Sequence, residues 1–205
     1  MDSGALIRGV VVGASIAAPV GPIGVLCIRR TLVGGRAAGF ASGLGAATAD
    51  AAYGAIAALG LTSIAAFLVC HQSWLRLVGG AFLLLLGYRS CMQQPVAPGV
   101  GDLELGWWSA YASTLVLTIT NPMTVLSFAA VFAGLGLVSL QRGYTTGGML
   151  VLGVFIGSAL WWALLSNLTS LLRSRLDVQA LRWVNRISGG VLLGYGLAAV
   201  ASVIW

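Results

Sequence analysis

Asp50 is the single acidic residue inside any long apolar run of this chain. A carboxylate at mid-membrane costs about 2.5–3.5 kcal/mol on insertion scales, and such residues face a bundle interior or a water-filled cavity. Gly39, Gly43, Ala46, Asp50, Gly54 and Ala57 follow one another at steps of three or four, which puts them on one face of a helix. A face of small residues lets a second helix approach closely. Asp50 therefore projects from a seam between helices, with Tyr53 beside it at i+3. The chemistry open to it is uptake and release of a proton, or pairing with the cationic group of a ligand. The plainer alternative is a structural hydrogen-bonding acid.

Two breaks in apolar runs supply the other candidates. Ala18-Pro19-Val20-Gly21-Pro22 and Thr118-Ile119-Thr120-Asn121-Pro122 each interrupt a stretch that otherwise reads as continuous helix. A proline inside a helix has no N–H and clashes with the carbonyl four residues back. Pro19, Pro22 and Pro122 would thus free the carbonyls of Ser15, Ala18 and Thr118. Irregular backbone at membrane depth is tolerated where it lines a cavity, and paired breaks in two halves of a chain point to a transporter's binding site. The alternative is a pair of kinks that serve packing. Thr118, Thr120 and Asn121 have side chains suited to re-satisfying backbone or to holding a polar ligand. The expected substrate-binding set is Pro19, Gly21, Pro22, Asp50, Tyr53, Thr120, Asn121 and Pro122, with Asp50 as the proton-coupling residue. Trp161 and Trp162, inside a later run, read as packing residues.

These residues need elements that hold them in a membrane. Of 205 residues, 59% are hydrophobic and 8% charged, against about 25% charged in soluble domains. With a mean hydropathy of +0.97, the chain reads as a polytopic membrane protein with almost nothing left over for a soluble domain. A helical span takes roughly 20 apolar residues. Six runs are expected to serve: 5–28, 37–61, 74–89, 107–137, 144–165 and 187–205. A proline- and glycine-containing linker at 93–105 carries Asp102 and Glu104, and 166–186 reads as a polar, arginine-rich loop. Trp74, Trp107, Trp108, Tyr144, Trp183 and Trp205 fall at run ends, where interfacial aromatics belong. The first run is too long, with too little charge before it, for a cleaved signal peptide.

The net charge of +6 comes from eleven arginines and no lysine against five acids. The arginines cluster at the ends of apolar runs, which is a topology signal rather than a nucleic-acid footprint. Alternating loops put eight of them, Arg29, Arg30, Arg36, Arg89, Arg173, Arg175, Arg182 and Arg186, on one side. The other side holds three, Arg8, Arg76 and Arg142. Cys27, Cys70 and Cys91 form no CxxC pair and His71 is the only histidine, so no zinc, haem or iron–sulfur ligand set is visible. No metal site and no cofactor are expected. Neither a nucleophile–base–acid set nor a GxxxxGK[ST] phosphate loop occurs, so the chain reads as neither an enzyme nor an ATPase.

The two halves echo each other. Arg76-Leu77-Val78-Gly79-Gly80 recurs as Arg186-Ile187-Ser188-Gly189-Gly190 at an offset of 110. Arg36 matches Arg142 at 106, and Ala18-Pro19 matches Asn121-Pro122 at 103. Three spans per half is an odd number, so the copies must be inverted in the membrane, the plan of many secondary transporters. The expected fold is all-α: one transmembrane domain over 1–205, six helices, with repeat one at 1–95 and repeat two at 103–205. Gly35, Gly39 and Gly43, Gly153 and Gly157, and Gly190 and Gly194 stand at GxxxG spacing. These are read as tight packing within one subunit, with a homodimer as the minor alternative.

Pro19-Val20-Gly21-Pro22, then Arg36-Ala-Ala-Gly39-Phe-Ala-Ser-Gly43-Leu-Gly45 running to Asp50, then Asn121-Pro122 with Phe128, resemble the LysE/RhtB superfamily of amino-acid exporters. The likeness in length, spans and halves covers essentially the whole chain. Val20 interrupts a Pro-Gly-Pro found in many members, and Met123 stands where many have lysine. The resemblance implies an inner-membrane secondary transporter that exports an amino acid or related zwitterion, driven by an ion gradient. The residues add a candidate proton carrier in Asp50. Two alternatives stay open: a divalent-cation exporter using Asp50, Asn121 and freed carbonyls as oxygen ligands, and a non-transporting scaffold packed through its glycine faces. The expected partners are a small-molecule substrate and the lipid bilayer, with no nucleic acid.

The arginine asymmetry predicts that Arg36 and Arg175 are cytoplasmic and both termini external. Single cysteines at Ser3 and Arg175, in a background without the three native ones, should react from opposite sides with an impermeant maleimide. Reaction of Arg175→Cys in intact cells would overturn this orientation.

Overall fold

A computed structural model describes residues 3–19, 21–58, 67, 70–92, 106–121, 124–125, 127–128, 143–173 and 177–204. Among these there are six helices and no strand: α1 Ser3–Ala17, α2 Pro22–Ala58, α3 Gln72–Met92, α4 Trp107–Ile119, α5 Gly143–Arg173 and α6 Val178–Ile204. The fold is all-helical over the described residues. Three helices are long and apolar enough to cross a membrane, within Gln72–Met92, Thr145–Leu172 and Val178–Val203. The pair α1 and α2 is a fourth candidate when taken together, bent by 82° at the break between them. The linker 93–105, Pro122 and Met123 lie outside the described residues.

Several element boundaries depart from the sequence expectation. The loop expected between the first two runs shrinks to one residue. α2 continues through Arg29 and Arg30 and changes direction at Gly35, whose φ of 86° and ψ of 171° are not helical. Glycine meets no Cβ penalty at positive φ, so it makes this turn in a single step. At the far end, α5 runs to Arg173 and α6 starts at Val178, so the expected polar loop is mostly helix. Asp177 explains the early start: its Oδ1 accepts the N–H of Ala180 at 2.7 Å, a side-chain cap on the first turn.

Small residues set which helices touch and in which direction. A methyl group built on Gly153 would strike the backbone of Leu6 and Gly9, and one on Gly157 that of Val10. α1 and α5 therefore lie in backbone contact and run parallel. Gly45 sits against Tyr111 and Leu115, and two turns further on the Tyr53 hydroxyl donates to the Ile119 carbonyl; α2 and α4 are likewise parallel. Gly43 faces Trp162 and Gly54 faces Val154, so α2 and α5 are antiparallel. Gly80 meets Gly196 and Gly87 meets Gly189, so α3 and α6 are antiparallel too. By contrast, Gly190 and Gly194 have open space where a Cβ would stand. Among the described residues their GxxxG spacing meets no neighbour, so the packing role expected of it is not seen there.

Large apolar side chains point outward instead. Trp74, Tyr88, Leu160, Leu171, Ile187 and Leu197 are exposed, which suits a surface that meets lipid rather than water. The interior is filled by Leu26, Ala46, Ala47, Leu83, Leu117, Trp162 and Leu192, and by a second cluster of Val12, Tyr53, Val125, Phe128, Leu150 and Val154.

Backbone contact leaves no room for side-chain growth. Gly157→Val should destabilise the protein by about 1–3 kcal/mol or more. Gly190→Ala and Gly194→Ala should change stability by less than about 1 kcal/mol. Thermal unfolding in detergent separates the two outcomes, and equal loss at all three positions would contradict the packing described.

Candidate functional site

The backbone breaks first. α1 stops at Ala17 and α2 begins at Pro22. Between them the Gly21 N–H turns back to the carbonyl of Pro19 at 3.0 Å, and the Gly21 carbonyl accepts Val25 N–H, the first helical bond of α2. α4 stops at Ile119. There the carbonyl of Thr118 is not free, as the proline argument expected: it accepts the Asn121 N–H at 3.2 Å. The threonines bond back up their own helix, Thr118 Oγ1 to the Thr114 carbonyl and Thr120 Oγ1 to the Val116 carbonyl, both at 2.8 Å. Tyr53 donates its hydroxyl to the Ile119 carbonyl and rests its ring on Phe128, centroids 5.8 Å apart. Among the described residues it caps the break in α4.

Both breaks open onto one cavity of about 550 Å³. Pro19, Gly21, Pro22, Asp50, Thr120 and Asn121 all line it. Tyr53 is not among its described lining residues, and Pro122 lies outside the described residues. Polar lining residues beyond the expected set include Arg76, Thr124, Ser127, Trp162, Tyr195 and Ser202.

Asp50 is 3% exposed. Its Oδ2 accepts the Ser158 hydroxyl at 2.7 Å, and Ser158 Oγ in turn accepts the indole N–H of Trp162 at 3.1 Å. An indole nitrogen can only donate, so Ser158 is left to give its own proton to the carboxylate. Trp162 thus does more than pack: it lines the cavity and orients the serine that holds Asp50. A signal for Ser158 was present. Asp50 and Ser158 are 108 residues apart, within the range of offsets that aligns the two halves.

A second polar cluster lies away from this cavity and overturns an expectation. Arg29 and Arg30, read as loop arginines, are buried at 5% and 4% exposure. Arg30 Nη1 donates to Ser42 Oγ, the Ala110 carbonyl and Thr114 Oγ1 at 2.8–2.9 Å, and its Nη2 donates to Ser113 Oγ at 2.7 Å. Arg29 Nε donates to Asn185 Oδ1 at 3.0 Å. With these two inside the protein, the arginine asymmetry rests on six against three. Among the described residues no group of three or more His, Cys, Asp or Glu gathers where a metal ion could be held.

Comparison with known proteins decides the class. The family model for LysE type translocators matches residues 14–202. The chain belongs to the LysE type translocator family. It is 31% identical over 152 residues to "Uncharacterized membrane protein YahN" of Escherichia coli (strain K12), covering 70% of this chain and 65% of that one. The match thus spans just under two thirds of that relative's length. It is 26% identical over 193 residues to "Putative amino acid efflux protein YcgF" of Bacillus subtilis (strain 168), covering 91% of this chain and 90% of that one. No solved structure matches it.

Arg30 has its N–H groups on neutral oxygens, and hydrogen bonds to a charged group contribute about 1.5–3 kcal/mol each. Thr114→Val and Ser42→Ala should therefore each destabilise the protein by about 1–3 kcal/mol. In an Arg30→Met background the same substitutions should cost markedly less, because the charge they serve is gone. A double-mutant cycle on thermal unfolding measures this coupling; strict additivity would rule out the cluster as described.

Proposed function

We propose that the protein is a secondary exporter of an amino acid or related small zwitterion in a bacterial inner membrane, coupled to protons through Asp50. The observation that carries this is the single cavity shared by both helix breaks and the buried acid. The family membership supports transport, and the printed name of the Bacillus subtilis relative supports an amino acid as cargo. Backbone groups at Pro19–Pro22 and Thr120–Asn121 orient the substrate, as at the half-helix ends of other transporters. Asp50 binds a proton or the substrate's ammonium group, one displacing the other.

The architecture that fits is six spans in two inverted repeats, 1–95 and 103–205, within one domain. α1 with the start of α2 would form the first span, broken at 18–21, and the rest of α2 the second. The helix contacts support this, because they survive exchange of the halves. α1 packs parallel to α5 as α4 packs parallel to α2, and the pairs α2–α5 and α3–α6 are each antiparallel. Asp50 and Ser158 then meet near the approximate two-fold axis. With six arginines against three, the termini face outward.

Asp50→Asn keeps the size of the side chain and can still accept the Ser158 hydroxyl, but it cannot load or release a proton. The expected result is a folded protein that has lost gradient-driven export, with Asp50→Glu retaining part of it. Efflux from proteoliposomes under an imposed pH gradient is the measurement. A wild-type rate for Asp50→Asn, with an unchanged response to pH, would overturn proton coupling through this residue.

A further inference from the structure

The exporter reading leaves open which zwitterion is carried and what holds its anionic end. Among the described residues that line the cavity, one is acidic and one is basic: Asp50 and Arg76. The sequence alone assigns Arg76 to a topology signal at the start of α3. In the structure it stands in the cavity wall, and among the described residues its hydrogen bonds are long ones, from Nη1 to the Ser202 carbonyl at 3.3 Å and to Ser202 Oγ at 3.4 Å. Both lie at the weak end of hydrogen-bond geometry. No carboxylate pairs with it among the described residues. Asp50 is likewise part-used, since its one hydrogen bond among the described residues is on Oδ2.

The wall around these two charges is mostly apolar, with Ile16, Ile23, Leu83, Leu117 and the Trp162 ring, and its other polar groups are neutral hydroxyls and amides such as Thr120, Asn121 and Tyr195. A third charge on a bound solute would be desolvated there with no described counter-charge, which is costly. A planar guanidinium, on the other hand, matches a carboxylate with two parallel N–H donors. The volume lies within the range of about 300–1,000 Å³ that small-molecule sites occupy.

Building on the exporter reading, we propose that Arg76 takes the carboxylate of the exported solute, Asp50 its ammonium group and the apolar wall its side chain, so that the cargo is a neutral amino acid with an apolar side chain. Arg76 is then a specificity-determining residue: it separates an amino acid from its amide or its amine.

The test is counterflow in proteoliposomes with L-leucine as the labelled solute. Leucinamide, 3-methylbutylamine, L-lysine and L-glutamate serve as unlabelled competitors. In the wild-type protein leucine should compete at least tenfold better than each of the four. Arg76→Gln should raise the half-saturation for leucine tenfold or more and leave 3-methylbutylamine competing as before, so that the preference for the acid over the amine collapses. Arg76→Lys should restore part of it, as a point charge without the paired donors. A merely structural role for Arg76 would weaken leucine and amine together and leave their ratio intact.

An Arg76→Gln protein that keeps the wild-type preference for leucine over its amide and amine overturns the proposal and leaves the exporter reading standing. If Arg76→Gln fails to fold, equal competition by leucine and 3-methylbutylamine in the wild type overturns it just as well. Preferred transport of lysine or glutamate refutes the assignment of an apolar side chain. If the wild-type protein moves none of the twenty amino acids, the exporter reading itself falls.

Discussion

The guanidinium of Arg30 is a full charge inside a protein whose surroundings are mostly apolar, and the structure is arranged around keeping it solvated. Removing a cation from water costs several kcal/mol even after relaxation. Here the compensation comes from neutral oxygens of Ser42, Ala110, Ser113 and Thr114. Those oxygens belong to the far side of the Gly35 turn and to α4, while Arg30 itself stands on the near side, so the charge is satisfied only when three segments converge. Arg29 extends the same constraint to α6 through Asn185. The turn at Gly35 follows from this: the chain must double back within a few residues to bring Ser42 onto the side chain of Arg30.

Asp50 meets the complementary problem in a different way. One of its oxygens is held by a serine whose orientation is fixed by an indole N–H, and the residue also borders the cavity. Arg30 is locked into a polar cluster, whereas the acid keeps one side toward open volume. A translocator needs both kinds of charge. One holds helices together, and in the proposed exporter the other exchanges its partner in every cycle.

Much of this was legible in the residues. Proline chemistry located the ends of α1 and α4 and the start of α2, and helical spacing put Asp50 on a glycine-lined face that does meet another helix. Other features were not legible, for physical reasons. An arginine at the end of an apolar run looks the same whether it snorkels to the interface or is folded into a hydroxyl-lined pocket, because the hydroxyls of Ser113 and Thr114 are some 80 residues away. The helical parts of 166–186 look like loop to a hydropathy reading, because arginine and serine carry helix past an apolar run without changing its periodicity. GxxxG spacing could not tell Gly157, pressed on Val10, from Gly194, which faces open space. Spacing reports a face, and only the fold says what covers it.

The pairing of α1 with α5 has a consequence for how the chain is assembled. α1 finds its closest partner near Gly153 and Gly157, well over a hundred residues later in the chain. At synthesis rates of about 5–20 residues per second, α1 waits on the order of ten seconds in the bilayer with its glycine face uncovered. α4 has no such delay, because α2 precedes it. Biogenesis is therefore asymmetric even though the contacts are not. The early life of this protein is that of a half-built bundle held open for a late helix, and membrane chaperones and proteases have that interval in which to act.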